Sequence, residues 1–291
     1  MRSPVVRALL GWTVLLVAQA AAAVTPLAPT PVAVVSLRAT ETQEATTLSA
    51  WWYPVASARP APAVLLLHGC GGMLDDPGTP SARTREYASL LNGHGWQVLA
   101  LDSLTARGEK ELCTQRKGTR NITMTERRRD ALGGLQWLAA QPGVDASRLA
   151  LLGWSNGGSA VLAANNRIHP LVDHFSVRPR LAVAFYPGCE SDLRRGYQPA
   201  SETLLLVGLA DDWTPAAPCQ QLASTGTPRV TVLAYEGAYH GFDGKSPVRL
   251  RTDVPNGVRP GAGVHVGGDP VARQAAQQAL WQALEKAFAA P

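Results

Sequence analysis

Arg148-Leu149-Ala150-Leu151-Leu152-Gly153-Trp154-Ser155-Asn156-Gly157-Gly158-Ser159-Ala160-Val161-Leu162-Ala163-Ala164 is the stretch whose reading decides the fold. It opens on an apolar run, closes on a small-residue stretch of helical composition, and carries G-x-S-x-G from Gly153 to Gly157 between them. That order specifies a strand, a sharp turn bearing a serine, and a helix. The turn strains the serine backbone and lifts its hydroxyl above a parallel sheet. It tolerates no side chain two residues to either side, and Gly153 and Gly157 supply none. Ser155 is therefore expected to be a nucleophile rather than a plain turn residue.

Outward from this point, short apolar, β-branched runs alternate with helical patterns. Strands are expected at 32–36, 47–53, 63–67, 97–102, 148–153, 181–186, 202–208 and 229–235, and helices at 83–94, 126–140, 156–165, 215–224 and 269–289. Thr123 and Glu126 form a capping box ahead of the second helix. Alternation of this kind predicts an α/β fold, a mostly parallel eight-stranded sheet with helices on both faces and binding loops at the carboxyl ends of the strands. The first two strands have no helix between them and are expected to form an antiparallel hairpin. Residues 244–268, rich in Gly, Pro and Arg, read as a long surface loop.

A serine needs a histidine to take its proton, and the histidine needs a carboxylate on its other ring nitrogen. In this sheet type the chain order is Ser, then Asp or Glu, then His. Of the six histidines, His68 and His94 precede Ser155, and His169 and His174 arrive before the next two strands. His240 directly follows the last strand and is the expected base, whereas His265 lies in the glycine-rich loop without a strand to position it. The acid should follow the strand ending at Gly208, where Asp211 and Asp212 stand together. Asp211 is nearer the strand and is preferred, with Asp212 read as a local cap or turn residue. Asp192 and Asp243 fit the order less well. The oxyanion of a tetrahedral intermediate needs two backbone N–H donors. Asn156, which follows the nucleophile, and Cys70, in the glycine-rich loop Leu67-His68-Gly69-Cys70-Gly71-Gly72, are the expected pair.

Residues 1–23 have the pattern of a cleaved secretory signal, with Arg2 and Arg7, an apolar middle from Ala8 to Ala18, and small residues at a cleavage site near Ala20 or Ala23. The apolar run is shorter than the roughly 20 residues that span a bilayer. The rest, residues 24–291, is expected to be one domain, located in the periplasm or secreted, and 46% hydrophobic residues can fill a sizeable core. The formal charge of +5 falls to +3 without Arg2 and Arg7, and the arginines are scattered, which argues against nucleic-acid binding. Arg127-Arg128-Arg129 is expected to be a solvated helix face. Cysteines number four, an even count in an oxidising compartment, so disulfides are expected rather than a metal site, and no cofactor is implied.

Together, His68-Gly69, Gly153-Trp154-Ser155-Asn156-Gly157-Gly158, Gly208-x-x-Asp211-Asp212 and Gly237-Ala238-Tyr239-His240-Gly241-Phe242-Asp243 resemble the dienelactone hydrolase family of α/β-hydrolases, over about Ala63 to Ala289. Known members use a cysteine nucleophile and a glutamate in the loop filled here by His68-Gly69-Cys70. The resemblance thus implies an α/β-hydrolase fold and a serine-dependent hydrolase of small-molecule esters. The family's sheet order would pair Cys70 with Cys113 and Cys189 with Cys219. Its carboxylate-binding arginine would fall at Arg107, for which the alternative is an ion pair with an acid such as Glu109, or solvent. A peptidase resembling the prolyl oligopeptidase catalytic domain and a binding protein that kept the fold without the chemistry are the competing readings. Oligomeric state is left open.

Overall fold

The structure is a computed structural model and describes residues 25–38, 44–76, 78–224 and 229–289. The expected leader, residues 1–23, lies outside the described residues. Eight strands form the central sheet: β1 Thr30–Val35, β2 Thr47–Tyr53, β3 Ala61–Leu67, β4 Gln97–Leu101, β5 Val144–Trp154, β6 Leu181–Phe185, β7 Glu202–Gly208 and β8 Val230–Tyr235. Their spatial order is β8-β7-β6-β5-β3-β4-β2-β1. β1 pairs antiparallel with β2, as the missing helix between them predicts, and β2 pairs antiparallel with β4. The other five pairings are parallel.

The helices are α1 Ala82–Gly93, α2 Met124–Ala139, α3 Asn156–Asn165, α4 Pro170–Asp173, α5 Glu190–Arg195, α6 Ala216–Ser224 and α7 Pro270–Ala289. Side chains alternate across a strand, so β3 sends Ala63, Leu65 and Leu67 to one face and Val64 and Leu66 to the other. The first face packs on Leu132 and Leu135 of α2, Val161 of α3 and Leu222 of α6. The second packs on Tyr87 and Leu91 of α1 and Leu280 and Leu284 of α7. Burial on both sides is why the central strands read as unbroken apolar runs.

α2 starts where its capping box places it. Thr123 N–H donates to Glu126 at 2.7 Å, and Thr125 N–H donates to the Thr123 hydroxyl at 3.1 Å. The segment 244–268 departs from its expected loop character, because Arg249–Arg251 and Val264–Val266 pair as an antiparallel ribbon. Strands of three residues are too short to register as a period-2 pattern against a glycine-rich background. Two disulfides tie adjacent connections at the carboxyl edge of the sheet. Cys70, after β3, bonds Cys113, after β4, and Cys189, after β6, bonds Cys219 on α6. No helix among the described residues is long and apolar enough to cross a membrane.

Candidate active site

Loops leaving β3, β4, β5, β6, β7 and β8 converge at one edge of the sheet, and Ser155 stands at their centre. It connects β5 to α3 with φ 53° and ψ −117°, a left-handed conformation that L-residues rarely hold. Its N–H donates to Phe185 O at 2.9 Å, which fastens the turn to the end of β6. The flanking glycines are needed for closeness. A Cβ at Gly153 would lie 2.4 Å from Gly157 O, and one at Gly157 would lie 2.0 Å from Leu67 O.

His240 leaves β8 and places Nε2 at 2.8 Å from Ser155 Oγ, while its Nδ1 lies 2.8 Å from Asp211 Oδ2. An ionised Asp211 only accepts, so Nδ1–H donates to it and Nε2 is left to receive the serine proton. Trp213 and Thr214 N–H groups both donate to Asp211 Oδ1 at 2.8 Å, and the Thr214 hydroxyl donates to Oδ2 at 3.0 Å. Burial alone would raise the Asp211 pKa. The charge on a protonated His240, the hydrogen bond between them and the two amides outweigh it, holding this carboxyl below its ordinary value. The rings of Tyr186 and Trp213 lie 4.6 and 4.7 Å from that of His240 and confine it. Thr214 and Trp213 were not among the expected site residues, although their place two and three residues after Asp211 is that of an Asx-type turn.

Asp212 is more than a turn residue. Its Oδ2 lies 2.7 Å from His265 Nδ1, and its Oδ1 accepts the His265 N–H at 2.8 Å. His265, expected to lack a strand, sits on the ribbon. The same ribbon bridges Val266 to His240, and Gly267 N–H donates to His240 O at 3.0 Å. Two aspartate–histidine pairs thus stand side by side, one on Ser155 and one on the ribbon. Asp243, in the His240 loop, is buried under the Tyr186 and Tyr87 hydroxyls at 2.6 and 3.0 Å and faces Arg83. It braces the loop and stays out of the serine–histidine line.

The loop after β3 carries Cys70, and among the described residues neither its N–H nor that of Asn156 donates to a backbone carbonyl. His68 steers this loop. Its Nδ1 donates to Gly69 O at 2.7 Å and its Nε2 accepts Ser103 N–H at 3.2 Å. Burial, and then the neighbouring Arg127 charge, push the His68 pKa down to about 3, so the ring is neutral. From the β4 side, the Cys113 disulfide and a 2.7 Å bond from Leu112 N–H to Cys70 O hold the same residue.

Two arginines differ from expectation. Arg107 lines neither of the two cavities that meet at Ser155. Its guanidinium makes a two-pronged pair with Asp130 at 2.8 and 2.9 Å and donates to Ser103 O at 2.7 Å. The alternative of an ion pair is met, with Asp130 rather than Glu109 as the acid. Arg127, expected on a solvated face, is 0% exposed. It donates to Asn156 Oδ1 and to His68 O, each at 2.8 Å. Nothing in the triplet's local pattern distinguishes the buried arginine from Arg128 and Arg129.

Two cavities of about 280 and 290 Å³ meet at Ser155, Cys70 and Trp213. Lys117, Arg120, Met124 and Arg194 line the first beyond Asn156, and Arg83, Arg249 and Arg251 line the second beside His240. Among the described residues, no group of three His, Cys, Asp or Glu side chains could hold a metal ion.

The profile of the dienelactone hydrolase family matches residues 49–290. An uncharacterized protein of Mycobacterium tuberculosis is 26% identical over 217 residues, spanning 69% of this chain and 70% of its own. Among solved structures, a dienelactone hydrolase-like promiscuous phosphotriesterase from metagenomic libraries superposes with TM-score 0.60 at 20% identity, covering 90% of this chain and 99% of its own. Thermogutta terrifontis esterase 2, solved phosphorylated by paraoxon, gives TM-score 0.54 at 21% identity over 89% of this chain and 96% of its own. These structural likenesses show a shared fold.

Proposed function

The chain belongs to the dienelactone hydrolase family, and from that premise we propose a serine hydrolase that cleaves carboxylic esters of small molecules through an acyl-serine. The observation that carries this reading is the unbroken line Ser155 Oγ to His240 Nε2 to Asp211, with both links at 2.8 Å. In the first half-reaction, Ser155 Oγ attacks the ester carbonyl carbon as its proton passes to His240 Nε2. The carbonyl oxygen becomes an oxyanion held by the Cys70 and Asn156 N–H groups. Collapse breaks the bond to the alcohol, which leaves with the proton from His240. A water then repeats the sequence on the acyl-serine and frees the acid. Asp211 stays ionised throughout and holds the imidazole in the required tautomer.

Export is part of the same proposal. Two disulfides are compatible with an extracellular location, and the leader-like residues 1–23 would deliver residues 24–291 as one domain to the periplasm or the medium.

A fluorophosphonate probe phosphonylates activated serines and tests the site directly. The wild-type protein should label and Ser155→Ala should not, with kcat for p-nitrophenyl esters falling on the order of 10⁴ to 10⁶. A Ser155→Ala protein that labels and turns over ester at the wild-type rate would refute the assignment. A panel of esters of increasing chain length, run beside a peptide substrate, separates the esterase from the peptidase reading.

A further inference from the structure

Arg127 is a fully buried guanidinium for which the acyl-transfer steps above have no use. It lies in the first turn of α2 and is the largest side chain among those wholly withdrawn from solvent. Its Nε is buried and has no hydrogen-bond partner among the described residues. Burial pushes its pKa down from 12.5 to about 10, against the upward pull of Asp130 and Asp102. A buried charge is a poor device for stability, since an apolar side chain of similar volume would fill the space without the desolvation cost. What distinguishes Arg127 is what its two terminal nitrogens hold.

One nitrogen donates to His68 O, two residues before Cys70, and the other to the side-chain oxygen of Asn156. Cys70 and Asn156 carry the two proposed oxyanion donors. They sit on separate connections, Cys70 in the loop after β3 and Asn156 at the first position of α3 after β5, and the two strands are paired with Leu67 opposite Gly153. Beyond these strands the ladder no longer spaces the two connections; Gly157 packs directly against Leu67 O and His68 O, and the Arg127 fork is the side-chain bridge that joins them. A planar fork with rigidly spaced donors can bridge two acceptors in a way that an ammonium point cannot. We propose that Arg127 is a positioning residue that sets the distance between the two halves of the oxyanion hole. This rests on the ester-hydrolase reading and adds a residue to it.

The test compares Arg127→Gln, Arg127→Lys and Asn156→Ala with wild type. It uses kcat and KM for a p-nitrophenyl ester, binding of a trifluoromethyl ketone, which adds to a serine as a tetrahedral oxyanion, and the melting temperature. Loss of one oxyanion donor costs about 10²- to 10³-fold in kcat, so Arg127→Gln should lose about 10²-fold. KM should stay within about threefold, and ketone affinity should fall in parallel with kcat/KM. Arg127→Lys, reaching one partner only, should lose about tenfold. Asn156→Ala keeps its backbone N–H but frees the fork, and should lose about tenfold without adding its full effect to Arg127→Gln in the double mutant. A folded Arg127→Gln enzyme with wild-type kcat, or one whose loss lies wholly in KM with ketone affinity intact, overturns the proposal. Should Arg127→Gln not fold, Asn156→Ala decides, and wild-type kcat there overturns it equally. If the wild-type protein shows no Ser155-dependent labelling, the esterase reading itself fails first, and this proposal with it.

Discussion

Ser155 holds a backbone conformation that costs an L-residue of order 1–3 kcal/mol, a cost offset because Gly153, Gly157 and the Phe185 carbonyl leave the turn no easier path. The companion carboxylate makes a prediction about pH. Asp211 is held below its ordinary value of 3.8 in the folded protein. A depressed carboxyl stabilises the fold fully above the unfolded pKa and loses that contribution as pH falls through the folded one. Asp211→Asn should therefore melt below wild type at neutral pH, and the gap should narrow as pH drops below about 4. Its kcat should fall on the order of 10⁴, because the imidazole loses its preferred tautomer. Calorimetry from pH 7 to pH 3 checks the first part, and a gap that holds constant or widens towards acid would reject it.

At the scale of elements, the ribbon of Arg249–Arg251 and Val264–Val266 forms a wall of the cavity beside His240 and is latched by Asp212 to the loop that carries Asp211. Val258 N–H adds a second link, to Asp212 O at 2.9 Å. Neither Asp212 nor His265 reaches Ser155 through a hydrogen bond, so loosening this latch should disturb substrate binding more than chemistry. His265→Ala is expected to raise KM several-fold and to lower kcat by less than about tenfold, while His240→Ala should lose kcat on the order of 10⁴ or more. Steady-state kinetics on both variants give the answer. Turnover abolished by His265→Ala and intact in His240→Ala would transfer the base to the ribbon. The helix α2 shows how uneven legibility is within one element. Its start was visible in Thr123 and Glu126, whereas the one arginine of three that turns inward was not.

For the whole molecule, the disulfides fasten the connections of neighbouring strands on both sides of β5, with sequence separations of 43 and 30 residues. Each constrains the unfolded chain by about 2–4 kcal/mol in the chain-entropy account. With roughly 2–4 °C per kcal/mol for a chain of this size, reduction by a dithiol should lower the melting temperature by about 10 °C or more. Reduction should also lower kcat, since Cys70 carries a proposed oxyanion donor. Differential scanning fluorimetry with and without reductant, beside non-reducing peptide mapping, tests both statements. A reduced protein with unchanged melting and unchanged kcat would leave the bridges without a role.

Residue order alone was enough for the mostly parallel sheet and for the strand, turn and helix around Ser155, and it predicts that Ser155, Asp211 and His240 share one sheet edge, where hydrogen bonds join them. Those features rest on local turn geometry, on unbroken apolar runs in strands buried on both faces and on the sequence of loops along one sheet edge. It was not enough for Arg107 on Asp130, 23 residues away, for Asp212 on His265, 53 away, or for Arg127 on His68, 59 away. A charged side chain has no local signature of its partner. Whether it stays in water, pairs with an acid or is sealed beneath a loop depends on which distant segment folds over it, and only the tertiary structure decides that.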